Sequence, residues 1–360
     1  MTQTAGKRAS AREQEGMSAL IVPERLVRAD ALLQTGIDEK LFTHAVSGLM
    51  RGGEMLALKT FGEAAPESVF DLASLTKPLA TATLIMQGVE TGRLHLRQPV
   101  SRFFESVYGP LPHLSGVEIR HLLTHTSGLP PIPCWPVAGA SPSRQEFVQS
   151  ILSTPALRPA GVGYTYSDTG YLLLGEIAAQ VFGQPLEVCF RQQITKPLGL
   201  KTLGYCPVPV SVVQTGPDPA GVVHDPRARD LGGMAGHAGL FGTASDVLTF
   251  AEAIRTGGGP ILSPASVARM SVSQIPASVG ASSLGWFCAG NDYLPAGDLF
   301  SDAAFGHSGF TGTALLIDPA SEVSLTLLTN RVVNQAEDGS RFLRLRRFWL
   351  NTIAASLTCR

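Results

Sequence analysis

Ser74 and Lys77 have the residue types and the spacing of a nucleophile and its base. They stand three positions apart in the segment FDLASLTK at residues 70–77. Residues three apart are neighbours on a helix surface, so a helix that begins near Ser74 brings the lysine amine beside the serine hydroxyl. Serine is a weak nucleophile at neutral pH, and a lysine whose pKa is lowered by burial can accept its proton. The segment therefore predicts an activated serine, and an N-capping serine with a solvated lysine is the alternative.

A tyrosine of the segment YSDTGY, residues 166–171, could also handle protons. Tyr166 stands just before an apolar stretch with helical spacing, where a loop can hold it rigidly. A phenolate is a competent general base when cations lower the pKa of the tyrosine. The alternative is a buried aromatic residue in front of a helix that Ser167, Asp168 or Thr169 caps.

The segment FGHSGFTG at residues 305–312 could form one wall of a cleft. It leads into a predicted hairpin with strands at 313–317 and 323–329. Gly309 would allow a close approach beside His307 and Ser308. A strand edge of this kind can also supply a backbone N–H to a substrate.

Hydrophobic periodicity predicts the elements that would position these segments. Two β-prone runs, 42–51 and 54–61, flank Gly52-Gly53, a two-residue hairpin connection. Predicted helices cover about 23–35, 74–90, 172–181, 243–256 and 339–357. Strand signals are sparse between about 95 and 240, so residues 96–240 are predicted to form a helical subdomain. Residues 19–95 and 241–360 are predicted to form an α/β sheet domain.

Composition indicates a globular chain without a general affinity for polyanions. The 360 residues are 44% hydrophobic and 16% charged, with a formal net charge of −1. That balance gives no attraction to nucleic acid or to anionic membranes. The five cysteines are odd in number and scattered, which argues against a disulfide framework or a zinc site. We expect reduced, mostly buried thiols at Cys134, Cys189, Cys206, Cys288 and Cys359.

The first 18 residues are predicted to be a disordered leader. They are polar, and no apolar segment follows the early basic residues Lys7, Arg8 and Arg12. Neither a signal peptide nor a membrane span is therefore predicted. The expected location is the cytoplasm, or the periplasm if the true start lies upstream of Met1.

No metal or cofactor is predicted. His121 and His125 are four apart, but the intervening glutamate of an H-E-x-x-H site is missing and no third ligand is evident. Buried, hydrogen-bonded histidines are the better interpretation. The glycine-rich run LGGMAGHAGLF at 231–241 lacks the Gly-Lys-Ser/Thr of a phosphate loop and fits a close approach of backbones instead.

The three segments in this order closely resemble the motifs of the penicillin-recognising serine hydrolases. Those motifs are S-x-x-K, Y-x-N, and K-T-G or H-x-G. The group includes class C β-lactamases, low-molecular-weight D-Ala-D-Ala peptidases and family VIII esterases. The resemblance extends to HLLTHTSGL at 121–129 and to the 231–241 run, and it covers roughly residues 20–355. It implies an α+β fold, in which an antiparallel sheet flanked by helices pairs with a mostly helical subdomain and the active site lies between them.

The resemblance also implies roles for individual residues. Ser74 would be the acylating nucleophile, and Lys77 would accept its proton or hold the tyrosine as phenolate. Tyr166 would be the general base and later the acid for the leaving group. The backbone N–H groups of Ser74 and Phe310 would form an oxyanion hole, where one donor is typically worth about 3 kcal/mol. His307 would take part from the opposite wall.

Two departures from the family motifs shape the expected substrate. His307 stands where many relatives have lysine, so at neutral pH this wall carries no permanent cation, although Ser308 beside Gly309 could still hydrogen-bond a carboxylate. Asp168 replaces the family asparagine and can accept from Lys77 but cannot donate an amide N–H to a substrate. We therefore expect hydrolysis of small amides or esters, of the D-amino-acid or muropeptide peptidase type or the esterase type. β-Lactams would acylate the serine and turn over slowly, and a penicillin-binding receptor without turnover is the alternative.

Overall fold

The computed structural model of the chain describes residues 20–135, 142–207, 211–334 and 339–358. The predicted leader at 1–18 and Cys359 lie outside these ranges. The strands are β1 (His44–Arg51), β2 (Glu54–Gly62), β3 (Phe70–Asp71), β4 (Gly204–Tyr205), β5 (Leu240–Gly242), β6 (Phe287–Cys288), β7 (Phe305–Ser308), β8 (Ala314–Asp318) and β9 (Val323–Thr329). The α-helices are α1 (Pro23–Asp38), α2 (Thr83–Glu90), α3 (Glu105–Tyr108), α4 (Ile119–Leu123), α5 (Arg144–Leu152), α6 (Asp168–Phe182), α7 (Leu186–Phe190), α8 (Lys196–Leu198), α9 (Pro226–Asp230), α10 (Ala244–Arg255), α11 (Pro264–Met270) and α12 (Ser340–Ser356).

Six antiparallel strands form the main sheet in the order β2-β1-β9-β8-β7-β6. Both predicted hairpins, β1–β2 and β8–β9, are confirmed. Gly52 and Gly53 have φ values of 60° and 89°, the left-handed conformation that a tight two-residue hairpin turn needs and that glycine adopts without strain. The N-terminal hairpin thus joins the C-terminal strands in one sheet.

Each face of the sheet is covered by helices. Side chains alternate between the faces along a strand. Leu315 of β8 lies in an apolar cluster that includes Phe250 of α10, whereas Leu316 lies in a second cluster that includes Leu33 of α1 and Trp349 of α12. The predicted α+β architecture, an antiparallel sheet flanked by helices, is confirmed.

The middle of the chain is mostly helical, and α3 to α9 all fall between residues 96 and 240. All six strands of the main sheet fall within 19–95 or 241–360. These positions agree with the predicted domain ranges, but the division into domains stays a prediction. Within the described ranges, no helix has both the length and the apolar character needed to cross a bilayer.

A second, smaller sheet ties the glycine-rich run to the segment that carries Ser74. Its strand order is β3-β5-β4, and Asp71 pairs with Phe241. A Cβ atom on Gly236 would stand 2.1 Å from the carbonyl oxygen of Tyr171 in α6, so only glycine fits there. Close backbone approach is therefore the function of this glycine, as the sequence indicated.

The four described cysteines are all free thiols. Cys189 and Cys288 are buried, but Cys134 and Cys206 are exposed. The expectation of mostly buried thiols is wrong for these two residues, because each lies on an irregular surface segment next to a proline.

Candidate active site

Ser74 lies on a tight turn and not at the start of a regular α-helix. A 3-10 turn at Ala73–Leu75 is followed by a π-helix at Lys77–Ala82, and α2 begins only after it. Pro78 has no N–H to bond back to the Ser74 carbonyl, which favours the irregular winding. Ala73 has a left-handed φ of 47°, and its N–H donates to Asp71 Oδ1 at 2.8 Å. The side chain of Asp71 thus stabilises a strained turn directly before the nucleophile.

The amine of Lys77 is buried among oxygen atoms. Its Nζ lies 2.8 Å from Ser74 Oγ, 3.1 Å from the carbonyl oxygen of His237 and 2.8 Å from Asp168 Oδ1. Burial lowers the pKa of Lys77, and the charge of Asp168 opposes this shift without cancelling it. Lys77 is therefore neutral more often than a solvated lysine, as a base for Ser74 must be.

Tyr166 lies two residues before the start of α6, and its ring packs over the Lys77 amine. Lys77 Nζ lies 4.9 Å from the centre of the Tyr166 ring, and the centres of the His125 and Tyr166 rings are 4.6 Å apart. Burial, followed by the charge of Asp168, raises the pKa of Tyr166 well above its usual value, and a hydrogen bond with Ser74 offsets only part of the rise. The phenol form is therefore favoured over the phenolate that the sequence-based role of general base requires.

His307 is a buried, neutral part of the opposite wall. Its ring stacks on Phe287 at a centroid distance of 4.1 Å, and its Nδ1 donates to the Ser308 carbonyl oxygen at 2.9 Å. Burial lowers the pKa of His307 well below its usual value, and the nearby Lys77 adds to the shift. This wall therefore lacks a cation at neutral pH.

The end of β7 lies against the nucleophile turn. A Cβ atom on Gly309 would stand 2.7 Å from the carbonyl oxygen of Leu72, and Thr313 Oγ1 donates to that same oxygen at 3.0 Å. The next residue, Phe310, is exposed, and its ring stacks on His224 at a centroid distance of 5.5 Å. The backbone at Gly309 thus packs against Leu72, two residues before Ser74.

One cavity of about 540 Å³ joins the three segments that the sequence singled out. Its lining includes Ser74, Tyr166, Asp168, Ser308, Gly309 and Phe310. Lys77 and His307 lie beneath this surface. Lys77 contacts Ser74, and the centres of the His307 and Tyr166 rings are 6.1 Å apart. All of the predicted site residues are therefore brought together.

No role was predicted for a charged network that lies beside them. His237 Nε2 lies 2.9 Å from Asp225 Oδ1, and Arg227 lies 3.2 Å from Asp225 Oδ2 and 3.7 Å from Asp168 Oδ2. Asp225 caps α9 by accepting from the Ala228 N–H at 2.9 Å. Only the cap before a proline is visible in the sequence, because the contacts with His237 and Asp168 join residues that are distant in the chain.

Asp168, Asp225 and His237 place ligand atoms within 4.8 Å of one another, a spacing that a metal ion could use. The Lys77 amine and the Arg227 guanidinium already contact the two carboxylates. We therefore interpret the cluster as an ion-pair network that fixes Lys77.

The two histidines at 121 and 125 have structural partners. His121 Nδ1 accepts from the Glu118 N–H at 3.1 Å, and His125 Nδ1 accepts from the Ser167 N–H at 3.0 Å. Burial and the nearby Lys77 lower the pKa of His125 to about 3. His125 thus positions the loop that carries Tyr166 as a neutral acceptor.

Comparison with known proteins identifies the family of the chain. The beta-lactamase family profile matches residues 29–347. A protein of Escherichia coli O157:H7 that is named as a candidate D-alanyl-D-alanine carboxypeptidase is 31% identical over 303 residues, which cover 73% of this chain and 69% of the relative.

Two solved structures show the same fold. EstCE1, described as a hydrolase with promiscuous acyltransferase activity, aligns with a TM-score of 0.71 and 24% identity over 91% of this chain and 98% of its own. A class C beta lactamase from Rhodobacter sphaeroides aligns with a TM-score of 0.70 and 20% identity over 91% of this chain and 99% of its own. The match along most of its length shows that the chain belongs to the beta-lactamase family of serine hydrolases.

Proposed function

We propose that the protein hydrolyses small amides or esters through an acyl-enzyme on Ser74. The observation that carries the proposal is the 2.8 Å contact between Ser74 Oγ and the buried amine of Lys77 at the floor of the cavity. The relative named for D-alanyl-D-alanine carboxypeptidase activity supports a peptide with a D-amino-acid terminus as substrate. The structural likeness to EstCE1 keeps esters as the second candidate class.

Neutral Lys77 is the base in this mechanism. It takes the hydroxyl proton as Ser74 Oγ bonds to the carbonyl carbon, and the tetrahedral intermediate then breaks its bond to the leaving group. The Tyr166 phenol, near both residues, donates a proton to the departing nitrogen or oxygen and regains one from Lys77. A water molecule then attacks the acyl-enzyme ester by the same steps, with Ser74 as the leaving group, and the acid product is released. The raised pKa of Tyr166 suits a proton donor, which revises the base role expected from the sequence.

The oxyanion hole consists of the backbone N–H groups of Ser74 and Phe310. The proposal rests on the strand end at Gly309, which packs against Leu72, two residues before the nucleophile. Donors fixed in advance stabilise the charge that develops on the carbonyl oxygen without reorganising. Asp168 holds Lys77 in place and does not contact the substrate carbonyl as an amide would.

Tyr166→Phe is expected to lower kcat by about 10²- to 10⁴-fold, the usual contribution of a positioned proton donor, with a small change in KM. Steady-state kinetics on p-nitrophenyl acetate and on a D-Ala-D-Ala peptide measure both constants. Tyr164→Phe is the matched control, because the Tyr164 hydroxyl accepts from Asn291 Nδ2 at 3.4 Å and, among the described residues, forms no hydrogen bond with Lys77 or Ser74. A change confined to KM in Tyr166→Phe would contradict the role.

A panel of acyl donors tests the proposed function itself. We expect turnover of p-nitrophenyl acetate and of diacetyl-lysyl-D-Ala-D-Ala, together with labelling by a fluorescent penicillin that decays slowly. The alternative is a penicillin receptor without turnover. Stable labelling in the absence of any hydrolysis of ester or peptide would favour the receptor and reject the hydrolase.

A further inference from the structure

His237 is a buried histidine on the wall of the cavity that contains Ser74, and the acylation steps use only its backbone. Its carbonyl oxygen accepts from Lys77 Nζ at 3.1 Å. Its side chain is 1% exposed, and its Nε2 lies 2.9 Å from Asp225 Oδ1. The imidazole is therefore a group that can hold or move a proton beside the reacting centre and that has no role in the mechanism above.

Asp225 determines which ring nitrogen of His237 can accept a hydrogen bond. Burial acts to raise the pKa of Asp225, but the hydrogen bond and charge of His237, together with the charge of Arg227, lower this pKa below its usual value. The carboxylate is therefore ionised and can only accept, so Nε2 carries the proton of the neutral ring. Nδ1 remains as the acceptor. A carboxylate fixes the tautomer of the histidine in a Ser-His-Asp triad by the same relation.

Two buried atoms on this wall have no hydrogen-bond partner among the residues that the structure describes. One is the acceptor His237 Nδ1, and the other is the donor Arg227 Nε. Arg227 lines the same cavity, and its Nη2 contacts both Asp225 and Asp168. Buried polar atoms are costly to leave unpaired, and a bound water is their ordinary partner where the protein supplies none. A donor and an acceptor on one wall suit a single water molecule.

The same wall lies beside the base. A ring nitrogen of His237 lies within 4.8 Å of a carboxylate oxygen of Asp168, and Asp168 Oδ1 lies 2.8 Å from Lys77 Nζ. A water that donates one proton to His237 and accepts from Arg227 keeps its second proton for Lys77. Its second lone pair is then available to attack the acyl carbon.

We propose that His237 is a further catalytic residue, which holds the water that hydrolyses the acyl-enzyme. This inference rests on the proposed function, because it concerns the second half of the same reaction. The oxygen of the held water bonds to the acyl carbon while one of its protons passes to neutral Lys77. The bond between that carbon and Ser74 Oγ then breaks, and the Tyr166 phenol gives Oγ a proton and regains one from Lys77. The acid product leaves with the other proton of the water.

Separate rates of acylation and deacylation test this role. In His237→Phe the side chain stays aromatic but loses both nitrogens, and the backbone carbonyl that contacts Lys77 remains. We expect the stopped-flow burst of p-nitrophenol from p-nitrophenyl acetate to keep its rate. Deacylation should slow by about 10- to 100-fold, the effect of one lost hydrogen bond in a transition state. Intact-protein mass spectrometry of quenched samples should then show that the acetylated chain accumulates.

Two further variants complete the design. His237→Gln keeps one donor and one acceptor, so its deacylation should slow by a smaller factor, about 2- to 10-fold. His121→Phe is the matched control, because it removes another buried histidine, whose Nδ1 accepts from the Glu118 N–H. Both of its rates should match those of the native chain.

Acylation and deacylation that slow by the same factor in His237→Phe would show a structural role and overturn the inference. Deacylation at the native rate in both His237 variants would overturn it as well. If the Tm of His237→Phe shows that it does not fold, His237→Gln decides, since selective slowing of deacylation supports the inference and native rates reject it. The hydrolase proposal fails on a different result, the absence of any acyl-enzyme on the native chain.

Discussion

Ser74→Ala is expected to lower kcat/KM for p-nitrophenyl acetate and for the D-Ala-D-Ala peptide by at least about 10⁴-fold. The substitution removes the atom that forms the acyl-enzyme, and removing the nucleophile of a serine protease costs about 10⁶-fold in kcat. Lys77 keeps its contacts with His237 and Asp168 in the variant, so we expect the fold to be retained. The loss should therefore appear without a change in Tm.

Intact-protein mass spectrometry follows the same variant more directly. The native chain should gain the mass of one penicillin or one acetyl group, and Ser74→Ala should gain neither. Ser68→Ala is the matched control, since Ser68 is a buried serine six positions away whose hydroxyl accepts from the Ala65 N–H at 2.9 Å. An adduct of equal occupancy on Ser74→Ala would show that another residue is acylated.

Local patterns in the sequence predicted most of the elements that position this site. The spacing of Ser74 and Lys77, the glycine pair at 52–53 and the hairpin after Gly309 depend on residues close together in the chain. Helix and strand periodicity likewise reflect neighbours a few positions apart. Apart from the irregular winding that replaces the expected helix start at Ser74, these elements lie where they were expected, and they bring the three motif segments to one cavity.

Features that arise from distant contacts could not be predicted. Asp71 shows this, since its carboxylate accepts from the N–H groups of Ala73 and His224 at 2.8 and 2.7 Å and thereby links the nucleophile turn to the 224–227 loop. Burial raises the pKa of this carboxyl to about 6. The sequence around Asp71 does not indicate that its carboxyl is buried.

The surroundings of the Tyr166 and Arg346 side chains could not be predicted for the same reason. A tyrosine before a helix is compatible with a phenolate or a phenol, and only the burial and the nearby Asp168 decide between them. An arginine at a helical position can face solvent or a cleft, and the amphipathic pattern of residues 339–357 marks the apolar stripe without showing which guanidinium lines the cavity. Charge pairing is a property of the assembled fold.

Lys77→Met is expected to lower kcat by about 10²- to 10⁴-fold, because it removes the base that Ser74 needs. The variant leaves Asp168 with the more distant Arg227, at 3.7 Å, and breaking a buried ion pair by removing one partner costs up to about 3–5 kcal/mol. The double variant Lys77→Met with Asp168→Asn removes both charges and should regain stability. If the double variant is folded by its Tm and still inactive, the loss belongs to the chemistry and not to unfolding.

Asp168→Asn removes the negative charge of residue 168 but keeps a side chain of nearly the same size and shape. The negative charge of Asp168 raises the pKa of Lys77 against the effect of burial. Removing the charge lowers the pKa of Lys77 further, so the neutral amine persists to lower pH. The acidic limb of the kcat/KM profile, which rises as Lys77 loses its proton, should therefore move to lower pH.

Asp292→Asn is the control for that pH profile, since it removes the same charge from an exposed position on the same cavity without a contact to Lys77. Its profile should match that of the native protein, because solvent and salt screen the interaction. A limb that stays in place in Asp168→Asn, or moves to higher pH, would mean that the limb belongs to a different group and that Lys77 is not the base. A shift to lower pH in Asp168→Asn alone would identify the aspartate at this motif position as the residue that sets the working pH of the nucleophile.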